Sequence, residues 1–259
     1  MNHYIGIDIG STCAKTVVLN EKKELILEFV QPTGWSSVDT AEEIRQKLEF
    51  AGINLSNESS HCVATGYGRI SVPYADKTVT EITCHALGAV HLFQHPDLTV
   101  IDIGGQDTKI IQIEQGFVKD FIMNDKCAAG TGRFLEVMAN TLSLRPNEMF
   151  DLARLGSDTT ISSMCTVFAE SEVIGLIGKG EPKENIAYAV VNSTIRKVAA
   201  QVSRMNGEMF TFCLTGGLCE CDYIREALSK ELGKDVFSCP DARYAGAIGA
   251  ALSAMKVRR

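Results

Sequence analysis

Two short segments of this 259-residue chain share one design. Asp8-Ile9-Gly10-Ser11-Thr12-Cys13-Ala14-Lys15 returns as Asp102-Ile103-Gly104-Gly105-Gln106-Asp107-Thr108-Lys109, with aspartate on aspartate and lysine on lysine. A glycine turn presents backbone N–H groups and makes a nest for an anion. The aspartate ahead of each turn repels a phosphate, but it can hold a Mg²⁺ that bridges to one. Two nests and two metal-side carboxylates meet the needs of a nucleoside triphosphate, and two turns of one design imply two like halves facing one ligand. A third turn, Thr215-Gly216-Gly217-Leu218, also follows an apolar run. No Gly-x-x-x-x-Gly-Lys-Ser/Thr is present, and no Gly-x-Gly-x-x-Gly follows a strand, so neither a P-loop nor a dinucleotide fold is supported.

These turns need strands on both sides. Tyr4 to Ile9 and Thr16 to Leu19 flank the first, Leu98 to Ile103 and Ile110 to Ile113 the second, and each set reads as a β-hairpin. A polar turn then leads to a third strand in each case, over 25–30 and 117–123. Periodicity predicts helices over 37–52 (capped by Ser37 or Asp39), 78–93, 131–144, 146–155, 168–178, 184–204, 221–232 and 241–255. Short strands are expected over 62–65, 209–214 and 235–238. Pro96-Asp97 marks a boundary. The expected halves are 1–95, completed by 241–259, and 96–240. The expected fold class is α/β.

With 45% hydrophobic residues the chain can bury a substantial core. A net charge of −7 argues against nonspecific binding to nucleic acid or to anionic membranes. No apolar run reaches the ~18 residues of a membrane span. Met1 runs almost directly into the first strand, which leaves no room for a signal peptide. Nine cysteines without a Cys-x-x-Cys pair then point to a reducing, cytoplasmic setting.

Together the three turns resemble those of the actin, Hsp70 and sugar-kinase superfamily of ATPases. The resemblance implies two ribonuclease-H-like halves with an ATP cleft between them, moving about connecting helices over 78–93 and 241–255. It further implies that Ser11 and Thr12, after Gly10, donate to the β- and γ-phosphates, while Gly104, Gly105 and Gln106 line the γ side beside Asp107. Gln106 would orient the attacking water. Asp8 and Asp102 would hold Mg²⁺, largely through water. Thr215, Gly216 and Gly217 match the adenosine motif. Lys15 and Lys109 either reach phosphate or lie on a solvated strand edge.

Two cysteines narrow the resemblance. Cys127 lies in Asn124-Asp-Lys-Cys-Ala-Ala-Gly-Thr-Gly-Arg-Phe134, and Cys165 in Met164-Cys-Thr-Val-Phe-Ala-Glu-Ser-Glu172. Each precedes a helical run, with Thr166 a possible cap for the second; a helix start stabilises a thiolate. The wording of both segments resembles the activator component of 2-hydroxyacyl-CoA dehydratases and its relatives, including benzoyl-CoA reductase and double-cubane types. Residues 64–69, 81–86 and 240–252 are similar to that branch as well. A [4Fe–4S] cluster takes four thiolates, and a two-fold dimer contributing Cys127 and Cys165 twice supplies them. Gly130, Thr131 and Gly132, just past Cys127, would approach the nucleotide.

The implied protein is a dimeric ATPase. It is charged by a reduced ferredoxin or flavodoxin and passes one electron to a separate dehydratase- or reductase-type partner enzyme. A small-molecule kinase on the same fold, with Asp107 as general base and no cluster, is the alternative; a filament-forming ATPase ranks third. The remaining cysteines, 13, 62, 84, 213 and 239, read as core, and Cys219 and Cys221 as packing beside the third turn. Glu81 and His85 form an i, i+4 pair, either near the metal or on the surface.

Overall fold

The computed structural model describes residues 2–162, 165–207 and 210–257. The chain divides into two compact units, one of 1–98, 113–119 and 241–259, the other of 99–112 and 120–240.

The first unit is built on β1 (His3–Ile9), β2 (Cys13–Leu19), β3 (Leu25–Pro32), β4 (Ser60–Thr65) and β5 (Lys77–Thr78), in the order β3-β2-β1-β4-β5. β1 runs antiparallel to β2, with Asp8 opposite Lys15, and parallel to β4, with Asp8 opposite Thr65. Side chains alternate across a strand. Ile5, Ile7 and Ile9 therefore meet Ala41, Ile44 and Leu48 of α1 (Ser37–Phe50) on one face. The even-numbered positions of β1, and the β2 residues opposite them, face α8 (Ala245–Ala254), against which α2 (Glu81–Phe93) packs. There Val17 and Leu19 pack with Ala247, Ile248 and Ala251. α2 and α8 approach so closely that a Cβ on Gly249 would collide with the Cys84 backbone.

The second unit carries β6 (Leu98–Ile103), β7 (Thr108–Glu114), β8 (Phe117–Asn124), β9 (Thr211–Gly216) and β10 (Val236–Phe237). Their order, β10-β9-β6-β7-β8, is that of the first sheet read from the other edge. Its helices are α3 (Gly132–Thr141), α4 (Pro146–Ala153), α5 (Thr166–Gly178), α6 (Lys183–Val202) and α7 (Asp222–Leu232). Both halves thus have a three-strand meander followed by two further strands, as the repeat implies. Among the described residues no helix is long and apolar enough to cross a membrane.

Several boundaries differ from expectation. Ser36, rather than Ser37 or Asp39, caps α1, accepting from the Asp39 N–H. The predicted helix from 78 begins at Glu81 instead: Thr78 belongs to β5, and Thr80 accepts from the Thr83 N–H as cap. Pro240–Tyr244 forms a 3-10 turn ahead of α8. Cys165, not Thr166, is the N-cap of α5. β9 begins at Thr211; Met209, expected in it, lies outside the described residues, as do Ser163 and Met164.

Candidate nucleotide site and cysteine loop

The two predicted turns close in the same way. Gly10 N–H donates to the Cys13 carbonyl at 3.1 Å, and Gly104 N–H to the Asp107 carbonyl at 2.9 Å. The next two N–H groups in each turn, of Ser11 and Thr12 and of Gly105 and Gln106, find no partner among the described residues. Ser11, Thr12 and Gln106 are exposed. Each turn is therefore a nest with donors available to an anion.

Behind each nest sits a buried carboxylate, Asp8 at 4% exposure and Asp102 at 2%. Each lies against a glycine with positive φ at the end of the neighbouring strand. Gly66 (φ +83°) has no room for a Cβ, which would collide with Asp8 Oδ1; at Gly216 (φ +85°) a Cβ would lie 3.0 Å from Asp102 Oδ1 and collide with the Ile103 carbonyl. Only glycine combines that dihedral with that approach. Gly68 N–H and Gly217 N–H donate to the Ile9 and Ile103 carbonyls, at 2.9 and 3.2 Å. Sequence reasoning passed over Gly66 as part of the site. The signal was Thr-Gly after an apolar run in both places, Thr65-Gly66 and Thr215-Gly216.

The surroundings of the carboxylates then diverge. At Asp8, a Cβ on Gly246 of α8 would stand 2.5 Å from Oδ2 and 3.2 Å from His85 Nε2. The α8 backbone, Asp8 and His85 therefore converge on one spot. His85 is 2% exposed and lies 3.5 Å from Glu81, so this is not a surface pair. At Asp102 the partners are fixed side chains. Lys109 Nζ is 3.2 Å from Asp102 Oδ2 and 2.8 Å from Asp107 Oδ2, and the Thr215 hydroxyl donates to Asp102 Oδ1 at 2.7 Å. Lys109 is 1% exposed, so the solvated-edge reading fails for it. Lys15, its counterpart, is half-buried. Asp107 folds back beneath Gly104 onto Lys109, a poor posture for a general base. Thr215 supports Asp102 through its side chain.

The Cys127 loop is tied to the second turn. Asn124 Nδ2 donates to the carbonyls of Cys127 and Ala129, at 2.9 and 3.1 Å. Thr108 donates to the Gly130 carbonyl, and the Thr131 hydroxyl to that of Ala128, both at 2.6 Å. Gly132 N–H and Arg133 N–H then donate to the Gly104 and Gly105 carbonyls, at 2.9 and 2.7 Å. The first N–H groups of α3 are thus satisfied by the turn itself. Cys127 stands in the loop ahead of α3, and Cys165 at the start of α5.

Cys127 and Cys165 are exposed, whereas Cys62, Cys84, Cys213 and Cys219 are buried. Burial pushes the Cys84 and Cys213 thiols up to about 12, which keeps them protonated. Cys13, Cys221 and Cys239 are partly buried. The two exposed thiols have the soft donor chemistry that iron–sulfur clusters take. The glycine-cradled carboxylates have the hard oxygen donors that suit Mg²⁺.

A duplicated α/β unit with an aspartate, a nest and a Thr-Gly edge in each copy defines an ATPase of the actin and Hsp70 type. The sequence profile of the BadF/BadG/BcrA/BcrD ATPase family matches residues 5–254, and the chain belongs to that family. It is 43% identical to the (R)-2-hydroxyglutaryl-CoA dehydratase activating ATPase of Acidaminococcus fermentans, over 97% of this chain and 96% of that one. The crystal structure of component A of that dehydratase superposes with a TM-score of 0.91 at 41% identity, covering 99% of this chain and 98% of the other. The activator of 2-hydroxyisocaproyl-CoA dehydratase from Clostridium difficile, solved with bound ADPNP, gives a TM-score of 0.87 at 33% identity, covering 99% and 98%.

Proposed function

We propose that the chain is an ATP-hydrolysing activator that passes one electron to a partner enzyme of the 2-hydroxyacyl-CoA dehydratase or benzoyl-CoA reductase type. One observation carries the reading: the loop that presents Cys127 ends in hydrogen bonds to the carbonyls of the second phosphate turn. A change at that turn on nucleotide binding or hydrolysis has a direct route to the cysteine. The family's activators support the same assignment.

In this reading the N–H groups of Ser11 and Thr12 bind the β- and γ-phosphates, and those of Gly105 and Gln106 bind the γ-phosphate from the second turn. Asp8 and Asp102 hold Mg²⁺, which neutralises phosphate charge. The Gln106 amide orients the attacking water, without needing to act as a strong base. Lys109 fixes Asp102 and Asp107. Gly216 and Gly217 lie along adenosine. Cys127 and Cys165 from two subunits hold a [4Fe–4S] cluster, which supplies low-potential one-electron chemistry. Ferredoxin or flavodoxin is the donor, and the setting is the cytoplasm.

Incubation with Mg·ATP and a hexose or hexosamine tests the reading against the kinase alternative. ADP and free phosphate are expected, lost in Asp8→Asn. Appearance of a sugar phosphate in place of free phosphate would overturn it.

A further inference from the structure

A cavity of about 210 Å³ lies within the second unit, between α6, the start of α3 and Ile161-Ser162. None of the turn residues 104–107 lines it. Its walls include Ala129, Phe134, Ile161 and Ala200. Two cations on α6, Arg196 and Lys197, also line it, and neither makes an ion pair or hydrogen bond among the described residues. Lys197 lies over Gly130 so closely that a Cβ there would stand 2.8 Å from Lys197 Cγ. Gly130 holds a positive φ of +86°, which shapes this wall.

Behind Gly130 sits Gln201. It is 4% exposed, and neither Nε2 nor Oε1 has a hydrogen-bond partner among the described residues. Nε2 lies 3.9 Å from where a Cβ on Gly130 would be. A buried amide left unpaired is costly and rare in a folded chain. The nearby carboxylate of Glu172 is engaged by the Ser162 N–H and hydroxyl, at 3.0–3.2 Å.

We infer that this cavity is a second ligand site, separate from the nucleotide turns, for a small organic anion with an apolar body. The cations match a carboxylate, and the walls match a short hydrocarbon chain. A bare oxyanion would leave the apolar walls unused. Because the cavity touches Ala129 and Gly130, just after Cys127, and Ile161 and Ser162, occupancy would brace both stretches.

The test is calorimetry with hexanoate on the anaerobically purified full-length protein, with and without saturating ADP. Saturable hexanoate binding, unaffected by ADP, is expected. Acetate and inorganic phosphate should bind at least about tenfold more weakly. The double variant Arg196→Ala/Lys197→Ala should lose about tenfold or more in hexanoate affinity. Ala200→Trp should fill the cavity and abolish hexanoate binding while keeping ADP affinity, which also reports folding. Absence of saturable hexanoate binding, competition by ADP, phosphate binding as tight as hexanoate, or full affinity in the double variant would each overturn the inference.

Discussion

The two halves repeat one plan and use it differently. In both, an aspartate at the end of the first strand stands behind a nest and against a positive-φ glycine from the neighbouring strand. In the second half that aspartate is held by a buried lysine and a threonine hydroxyl. In the first half the backbone of α8 and His85 crowd it, and the equivalent lysine is half-buried. Duplication conserved the geometry of aspartate, nest and glycine, while the charge behind the nest was handled separately in each copy. The second copy also gained the cysteine loop, hydrogen-bonded to its turn.

Breaking the comparison at the thiols gives the largest effect. Cys84 in the first half and Cys213 in the second are buried and pushed up to about 12, so both hold little thiolate at pH 8. In cluster-free protein, iodoacetamide should modify Cys127 and Cys165 at least about a hundredfold faster, as read by peptide mass spectrometry over time. Comparable rates at all four would contradict the assignment of the exposed pair.

The next test is the buried lysine. Lys109→Met leaves two carboxylates without their cation and should cost about 3–5 kcal/mol in urea unfolding. Lys15→Met, at the half-buried counterpart, should cost about 1 kcal/mol or less. Equal losses would mean the halves are held alike.

Thr215→Val removes a hydrogen bond to a buried charge and should cost about 1.5–3 kcal/mol. Thr65→Val should cost less, because the buried Thr65 hydroxyl has no hydrogen-bond partner among the described residues.

The smallest effect is spectroscopic. The single tryptophan, Trp35, is fully exposed and lies two residues from Thr33. The Thr33 hydroxyl donates to the Gly10 carbonyl at 2.7 Å and its N–H to the Thr12 carbonyl at 3.0 Å. Mg·ATP should shift Trp35 emission by a few nanometres or change its intensity by roughly a tenth, and Thr33→Val should reduce that response.

Much of this was legible in the sequence because it is local. Strand, glycine turn, strand is a short-range pattern, and its recurrence at a fixed offset reveals the duplication. What could not be read depends on contacts made across the sheet. Lys109 looks like an edge residue until β6, β7 and β9 come together and seal it beside Asp102 and Asp107. Gly66 looks like an ordinary turn residue until β4 lies parallel to β1 and its missing side chain makes room for Asp8. Thr131 stands at the N-cap position of α3, yet its hydroxyl turns back to Ala128 and the second turn takes over the first helix N–H groups, a tie that spacing alone does not reveal.

The measurement that bears most directly on the electron-transfer reading is iron and acid-labile sulfide per dimer in anaerobically purified protein, beside Cys127→Ser and Cys165→Ser. The account predicts about four of each per wild-type dimer, with a broad visible absorbance that bleaches under dithionite and is lost in both variants. A colourless wild-type protein after reconstitution, or full iron content in either variant, would contradict it.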